Sequence, residues 1–182
     1  MSAKATVYKV ELQISDMDRG YYQTHAFTLA QHASETAERL MVRVLAFALN
    51  ADSMLSVAGG LACDDEPELW RRDRTGDIEQ WIDLGQPDPQ RVRRACGRAR
   101  QVLIYTYSGR SAQVWWDKVG AELKLRKNLG VIDIPSDACA SMAELVARTM
   151  RLQCLVQDGQ VQLSNAELSV QIEPQVRCLA KP

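Results

Sequence analysis

Two carboxylates, Glu68 and Asp83, stand in a pattern that points to oxygen-ligand chemistry. Glu68 follows Pro67 and opens the short run ELWRR; a turn at Thr75-Gly76 leads into DIEQWIDL, with Asp83 near its end. A hairpin closed at that turn sets Glu68 opposite Asp83. Side chains alternate along a strand, so Asp83 shares a face with Glu79 and Trp81 rather than with Ile82 and Leu84. Carboxylates facing each other across a sheet repel, at a cost of up to about 1 kcal/mol when exposed and more when buried. A divalent cation between them removes that repulsion, and Mg²⁺ or Mn²⁺ takes one or two carboxylates plus water. Without metal, the pair should carry a raised carboxyl pKa, and Asp83→Asn should stabilise the chain. The plainer alternative is a solvated Glu68 on an exposed hairpin, with Asp83 merely ending its strand before GQPD.

Basic residues follow at once. Asp88 is placed to cap a helix with Pro89 at its first position, and Arg91, Arg93, Arg94, Arg98 and Arg100 lie along or just past that helix. Such a run either contacts phosphates or forms a solvated face paired with acids such as Asp88. Trp115-Trp116 would be one core and one edge residue, or a platform for bases.

The elements that must position these groups read as follows. ATVYKVELQIS alternates, SDMDRG turns, and YYQTHAFTLAQ returns, which makes an N-terminal hairpin. Ser34 is a candidate cap, with Glu35 in the first turn, for a helix that carries Leu40, Val44, Phe47 and Ala48 through Asn50. Residues 51–66 read as irregular. QVLIYTY is a continuous apolar strand, the mark of a central position. A helix through Leu125, the strand LGVIDIP, the helix DACASMAELVARTM, a hairpin about Asp158-Gly159 and the strand ELSVQIEP complete the order. The tail QVRCLAKP reads as loosely held. The class is α/β: a mixed sheet flanked by helices, with an added N-terminal hairpin and C-terminal strands, in one domain over 1–182.

Composition limits the functions. Of 182 residues, 46% are hydrophobic and 25% charged, and the formal charge is −1, which does not advertise a basic nucleic-acid-binding domain. Five scattered cysteines and two histidines make no zinc pattern. The cysteines suit a reducing compartment. MSAKATVYKV lacks the apolar core of a signal peptide, and LMVRVLAFAL is too short to span a bilayer. A cytoplasmic protein with no membrane association is expected.

PELW, TGDIEQWIDLGQPD, RVRRACGR, QVLIYTY, and WW followed by KNLGVIDIP resemble the bacterial YaeQ family over essentially the whole chain. That family resembles the PD-(D/E)XK nucleases in fold. The resemblance implies a restriction-endonuclease-like core of helix, three-stranded meander, helix and strand, which the order from Ser34 to Tyr107 contains. It places the nuclease superfamily's Pro-Asp on Pro67-Glu68, with Glu for Asp, and its (D/E)-X-K on Asp83-Leu84-Gly85. Gly85 replaces the lysine that would serve the attacking water. Gln86 could orient a water through its amide, and Arg91 or Arg94 could supply charge but not a base. Glu38 matches the position of a further acid, with Glu35 as competitor. The implied function is a metal-dependent nuclease or phosphodiesterase with a degenerate motif, using Glu68 and Asp83 to hold Mg²⁺ or Mn²⁺. The alternative is a catalytically inactive module that binds nucleic acid or protein.

Overall fold

The structure, a computed structural model, describes residues 4–59 and 63–181. The chain divides into two compact units, each built from separate stretches of sequence. One holds the residues to Leu49 together with Pro135–Pro174; the other holds Asn50–Ile134 together with the segment from Gln175. Two mixed sheets, one per unit, take up the strands that the sequence suggested would form one sheet.

In the first unit, β1 (Thr6–Asp16) and β2 (Tyr21–Gln31) pair antiparallel without a break in register. The predicted alternation holds: Val10, Leu12 and Ile14 are buried while Val7 is 54% exposed. Helix α1 (Ala37–Asn50) is buried from Leu40 to Ala48. Its cap is Thr36, whose hydroxyl accepts from the Arg39 amide, and not Ser34, whose hydroxyl bonds the His32 ring. Glu35 is buried and pairs with Arg39 and Arg43, so its carboxylate is already neutralised. After α4 (Ser136–Ala143), the strands β8 (Thr149–Gln157), β9 (Gln160–Ser164) and β10 (Ser169–Ile172) complete a sheet ordered β10-β9-β8-β1-β2. The predicted helix DACASMAELVARTM thus ends early. Thr149 and Met150 pair with Lys9 and Val10, and that ladder outweighs their place at the end of a helical pattern.

In the second unit the sheet order is β11-β7-β6-β5-β4-β3. Its strands are β3 (Leu55–Val57), β4 (Leu69–Arg72), β5 (Ile78–Leu84), β6 (Ala99–Thr106), β7 (Leu129–Asp133) and β11 (Gln175–Cys178). Two of these correct the sequence reading. β3 lies inside the stretch read as irregular, and β11 turns the supposedly loose tail into an edge strand on β7. Both are too short to show a period. β5, β6 and β7 run parallel, and β6 is central as its apolar run predicts. Helices α2 (Pro89–Arg98) and α3 (Arg110–Leu123) cover one face of this sheet. Trp81, Val92, Ala95, Val102, Ile104, Val119 and Val131 form the core there. A fully buried side chain such as Ile104 contributes about 1.5–3 kcal/mol. The other face of β5 carries Gln80, which donates to Asn50 Oδ1 and Gln101 Oε1.

Candidate functional site

The β4–β5 hairpin sets the two carboxylates in place. Leu69 faces Ile82, Trp70 faces Trp81 and Arg71 faces Gln80, the register counted from the Thr75-Gly76 turn. Glu68 lies one residue beyond the last of these pairs, as Asp83 does on the other strand. The Glu68 amide donates to Ile82 O at 3.0 Å, and its carbonyl accepts from Ala58 N at 3.0 Å. Both residues are buried, each 4% exposed, so the solvated alternative for Glu68 fails.

The charge balance comes from Arg91. Asp83 follows Trp81 on the helix-covered face. β5 then ends at Gly85, whose φ of +86° is left-handed. A side chain there would have room, with only Tyr107 within 4 Å, but the backbone conformation itself favours glycine. The Gly85 amide still bonds Tyr105 O at 2.8 Å. Asp88 accepts from Gln90 N at 2.7 Å, with Pro89 in the first turn, as the sequence predicts. That turn brings Arg91 back over the strand it has just left. Arg91 Nε donates to Asp83 Oδ2 at 2.9 Å and Nη2 to Asp83 Oδ1 at 3.0 Å. The same guanidinium holds the preceding loop, donating to Asp64 O at 2.6 Å and Glu66 O at 2.9 Å. The bond to Asp83 raises the Arg91 pKa above its ordinary value; burial opposes this, and the charges of Asp83, Glu68 and Asp64 add to it.

Arg91 therefore brings positive charge to the carboxylate pair. A fork-shaped guanidinium spans both oxygens of a carboxylate and supplies the positive charge a divalent cation would bring. Among the described residues, no cluster of three or more His, Cys, Asp or Glu could hold a metal ion. Both Asp83 oxygens are engaged by Arg91, so a cation bound between Asp83 and Glu68 would have to displace that guanidinium.

Glu38 sits in the first turn of α1, half-buried, and belongs to the first unit, whereas Glu68 and Asp83 belong to the second. Gln86 is exposed and its amide donates to Ser111 Oγ at 2.8 Å. Trp115 donates to Pro87 O, and Trp115 and Trp116 are both partly buried against the core, rather than one core and one edge residue.

The arginines of α2 fall into two sets. Arg93 pairs with Glu122, and Arg100, just past the helix, pairs with Asp73. Arg91, Arg94 and Arg98 instead line a surface cavity of about 410 Å³, with Trp81 and the rim residues Asp64 and Asp65. The Arg98 guanidinium lies 5.1 Å from the centre of the Trp81 ring and donates to Asp65 O. Trp81 is 2% exposed, and its indole N–H meets no acceptor among the described residues. Arg94 is exposed at the same cavity. Sequence reasoning found the arginines but not the tryptophan beneath them. The signal was present: Trp81 shares its strand face with Asp83.

A model of the family described as YaeQ protein matches residues 1–174. The chain belongs to the YaeQ family. It is 40% identical over 173 residues to "Uncharacterized protein YaeQ" of Salmonella typhi, covering 95% of this chain and 96% of that one. The Escherichia coli (strain K12) protein of the same description is 39% identical over 172 residues, with coverages of 94% and 95%. The crystal structure of YaeQ protein from Xanthomonas axonopodis pv. citri superposes with a TM-score of 0.94 at 52% identity, covering 98% of this chain and 100% of that chain. The YaeQ protein from Pseudomonas syringae superposes with a TM-score of 0.92 at 31% identity, covering 96% and 97%. No helix among the described residues is long and apolar enough to cross a membrane.

Proposed function

We propose that this YaeQ-family protein binds nucleic acid through phosphate contacts from α2, on a nuclease-like scaffold whose carboxylate site is held by an arginine. The observation that carries this reading is the Arg91–Asp83 fork beside the Arg94–Arg98 cavity. Arg94, exposed at the cavity, and Arg98, stacked on Trp81, offer guanidinium groups to phosphate oxygens. Asp64 and Asp65 at the rim oppose an anion, and with the net charge of −1 they make the binding weak and salt-sensitive. The order α1, β3-β4-β5, α2, β6 is the one expected from the resemblance to PD-(D/E)XK nucleases, and on that resemblance it favours nucleic acid as the ligand.

One observation favours a second reading, metal-dependent phosphodiester hydrolysis. Glu68 and Asp83 are both buried at neighbouring positions on adjacent strands, as metal-holding carboxylates would be. Both would be ligands of Mg²⁺ or Mn²⁺, and Arg91 would have to leave Asp83 first.

One assay separates the two. Labelled single- and double-stranded DNA and RNA are incubated with the protein in chelator, Mg²⁺ or Mn²⁺, and both complex formation and cleavage are followed. The binding reading expects metal-independent complexes and intact substrate. Cleavage in metal that Asp83→Asn abolishes transfers the conclusion to hydrolysis. Absence of any complex at low salt removes the nucleic-acid reading.

A further inference from the structure

The four sheet edges of this protein are managed very differently. β10 has 4 residues, β3 has 3, and β11 has 4 with an irregular register on β7. Short or bulged edge strands like these cannot template a long pairing with another chain. β2 is the exception: it has 11 residues, stands last in its sheet, and pairs with β1 in one unbroken register. YYQTHAFTLAQ holds no Asp, Glu, Lys, Arg, Gly or Pro. Among the described residues this edge carries no charge, proline or bulge and is not short, the devices that commonly protect an exposed edge.

The direction of its backbone groups follows from the ladder. Lys9 N donates to Arg148 O on the β8 side, so odd-numbered residues of β1 turn their amides toward β8 and even-numbered ones toward β2. The register then turns the odd-numbered residues of β2 inward and leaves Tyr22, Thr24, Ala26 and Thr28 with amides and carbonyls directed out of the sheet. These four have no backbone partner on that side among the described residues. Ala30 O is already used, accepting from Arg43 at 3.1 Å. The four side chains are exposed, and three of them are small. On the opposite face of the strand, Tyr21, His25 and Phe27 are only half-buried, with His25 and Phe27 packed on Phe47 of α1.

We propose that β2 is a self-association edge, at which a second copy of this chain adds its own β2 antiparallel to form a continuous ten-stranded sheet. A two-fold axis beside His25 places Tyr22 opposite Thr28 and Thr24 opposite Ala26, so every outward group meets a complementary one. Two bonds for each facing pair give about eight inter-chain hydrogen bonds. The absence of charge from the strand means that two identical copies meet without repulsion, and a two-fold pairing uses the same surface on both. The partner strand also covers the open flanks of Tyr21, His25 and Phe27. This inference is independent of the α2 site.

The test is the mass of the full chain in solution, measured by sedimentation equilibrium from about 1 to 200 µM, for the parent, Ala26→Pro and Thr24→Lys. Proline at Ala26 removes an amide that points out of the sheet and no bond within it. Lysine at Thr24 sets like charges diagonally across the axis, within reach of one another on the same face, and leaves the backbone alone. The parent is expected to shift toward twice its mass with rising concentration, and both variants to stay monomeric with an unchanged circular-dichroism spectrum. A parent that is monomeric throughout, or a dimer that persists in Thr24→Lys, overturns the proposal. If Ala26→Pro misfolds, Thr24→Lys alone decides.

Discussion

Arg91→Ala should be the most damaging single change around the candidate site. It leaves Asp83, whose side chain is 5% exposed, without its guanidinium and still beside buried Glu68. Removing one partner of a buried ion pair costs about 3–5 kcal/mol. The Arg91 side chain keeps 23% exposure, so solvent screening lowers the expectation to about 2–4 kcal/mol. The loss of its bonds to Asp64 O and Glu66 O loosens the loop before β4 as well. Asp83→Asn keeps an acceptor for Arg91 and removes a buried charge, so it should cost less, about 1–2 kcal/mol. The double variant should be less destabilised than the sum of the two, with a coupling of about 1–3 kcal/mol. Urea unfolding of the four proteins measures each value, provided the slopes stay equal. A sequence-only view of two repelling carboxylates expects the opposite sign for Asp83→Asn. An Asn variant more stable than the parent, or Arg91→Ala within about 0.5 kcal/mol of it, would refute the charge-balance reasoning.

Three further outcomes follow from individual positions. Gly85→Ala should lose about 1 kcal/mol through its left-handed backbone alone, since the new methyl meets nothing closer than Tyr107 at 3.9 Å; an unchanged urea midpoint would count against this. Burial pushes the Cys154 thiol from an ordinary value of 9.0 up to about 12, with Asp16 adding to the shift. The folded state keeps this proton while the unfolded chain releases it, so stability from this group is intact below about pH 9 and falls as pH rises toward 12; Cys154→Ala should flatten that decline. Replacing chelator by millimolar Mn²⁺ should move the parent's melting temperature by less than about 1 °C, because Asp83 is already engaged. A rise that Asp83→Asn abolishes would instead favour the hydrolase reading.

Much of this arrangement is legible in the residues, and the exceptions have physical causes. The Thr75-Gly76 turn fixes the hairpin register, and strand alternation puts Asp83 with Trp81. Asp88-Pro89 announces α2 because capping chemistry is local. Arg91 was one of five arginines, and nothing local says which one points back to Asp83. That depends on the left-handed turn at Gly85, read from sequence only as a missing lysine. The structure gives that glycine a backbone reason. Thr149 and Met150 look helical by spacing because a strand's pairing energy comes from partners far away in sequence. β3 and β11, at 3 and 4 residues, are too short for any period to show.

The measurement that bears most directly on the role of α2 is the salt dependence of nucleic-acid binding in chelator, compared between the parent and Arg94→Glu. Each phosphate contact contributes about −0.7 to −0.9 to the slope of log K against log salt, for single or double strands respectively. The account predicts a parent slope of about −2 to −3, and in Arg94→Glu a slope shallower by about one with weaker binding to every sequence tried. Identical slopes and affinities for the two proteins, or binding indifferent to salt, would contradict it.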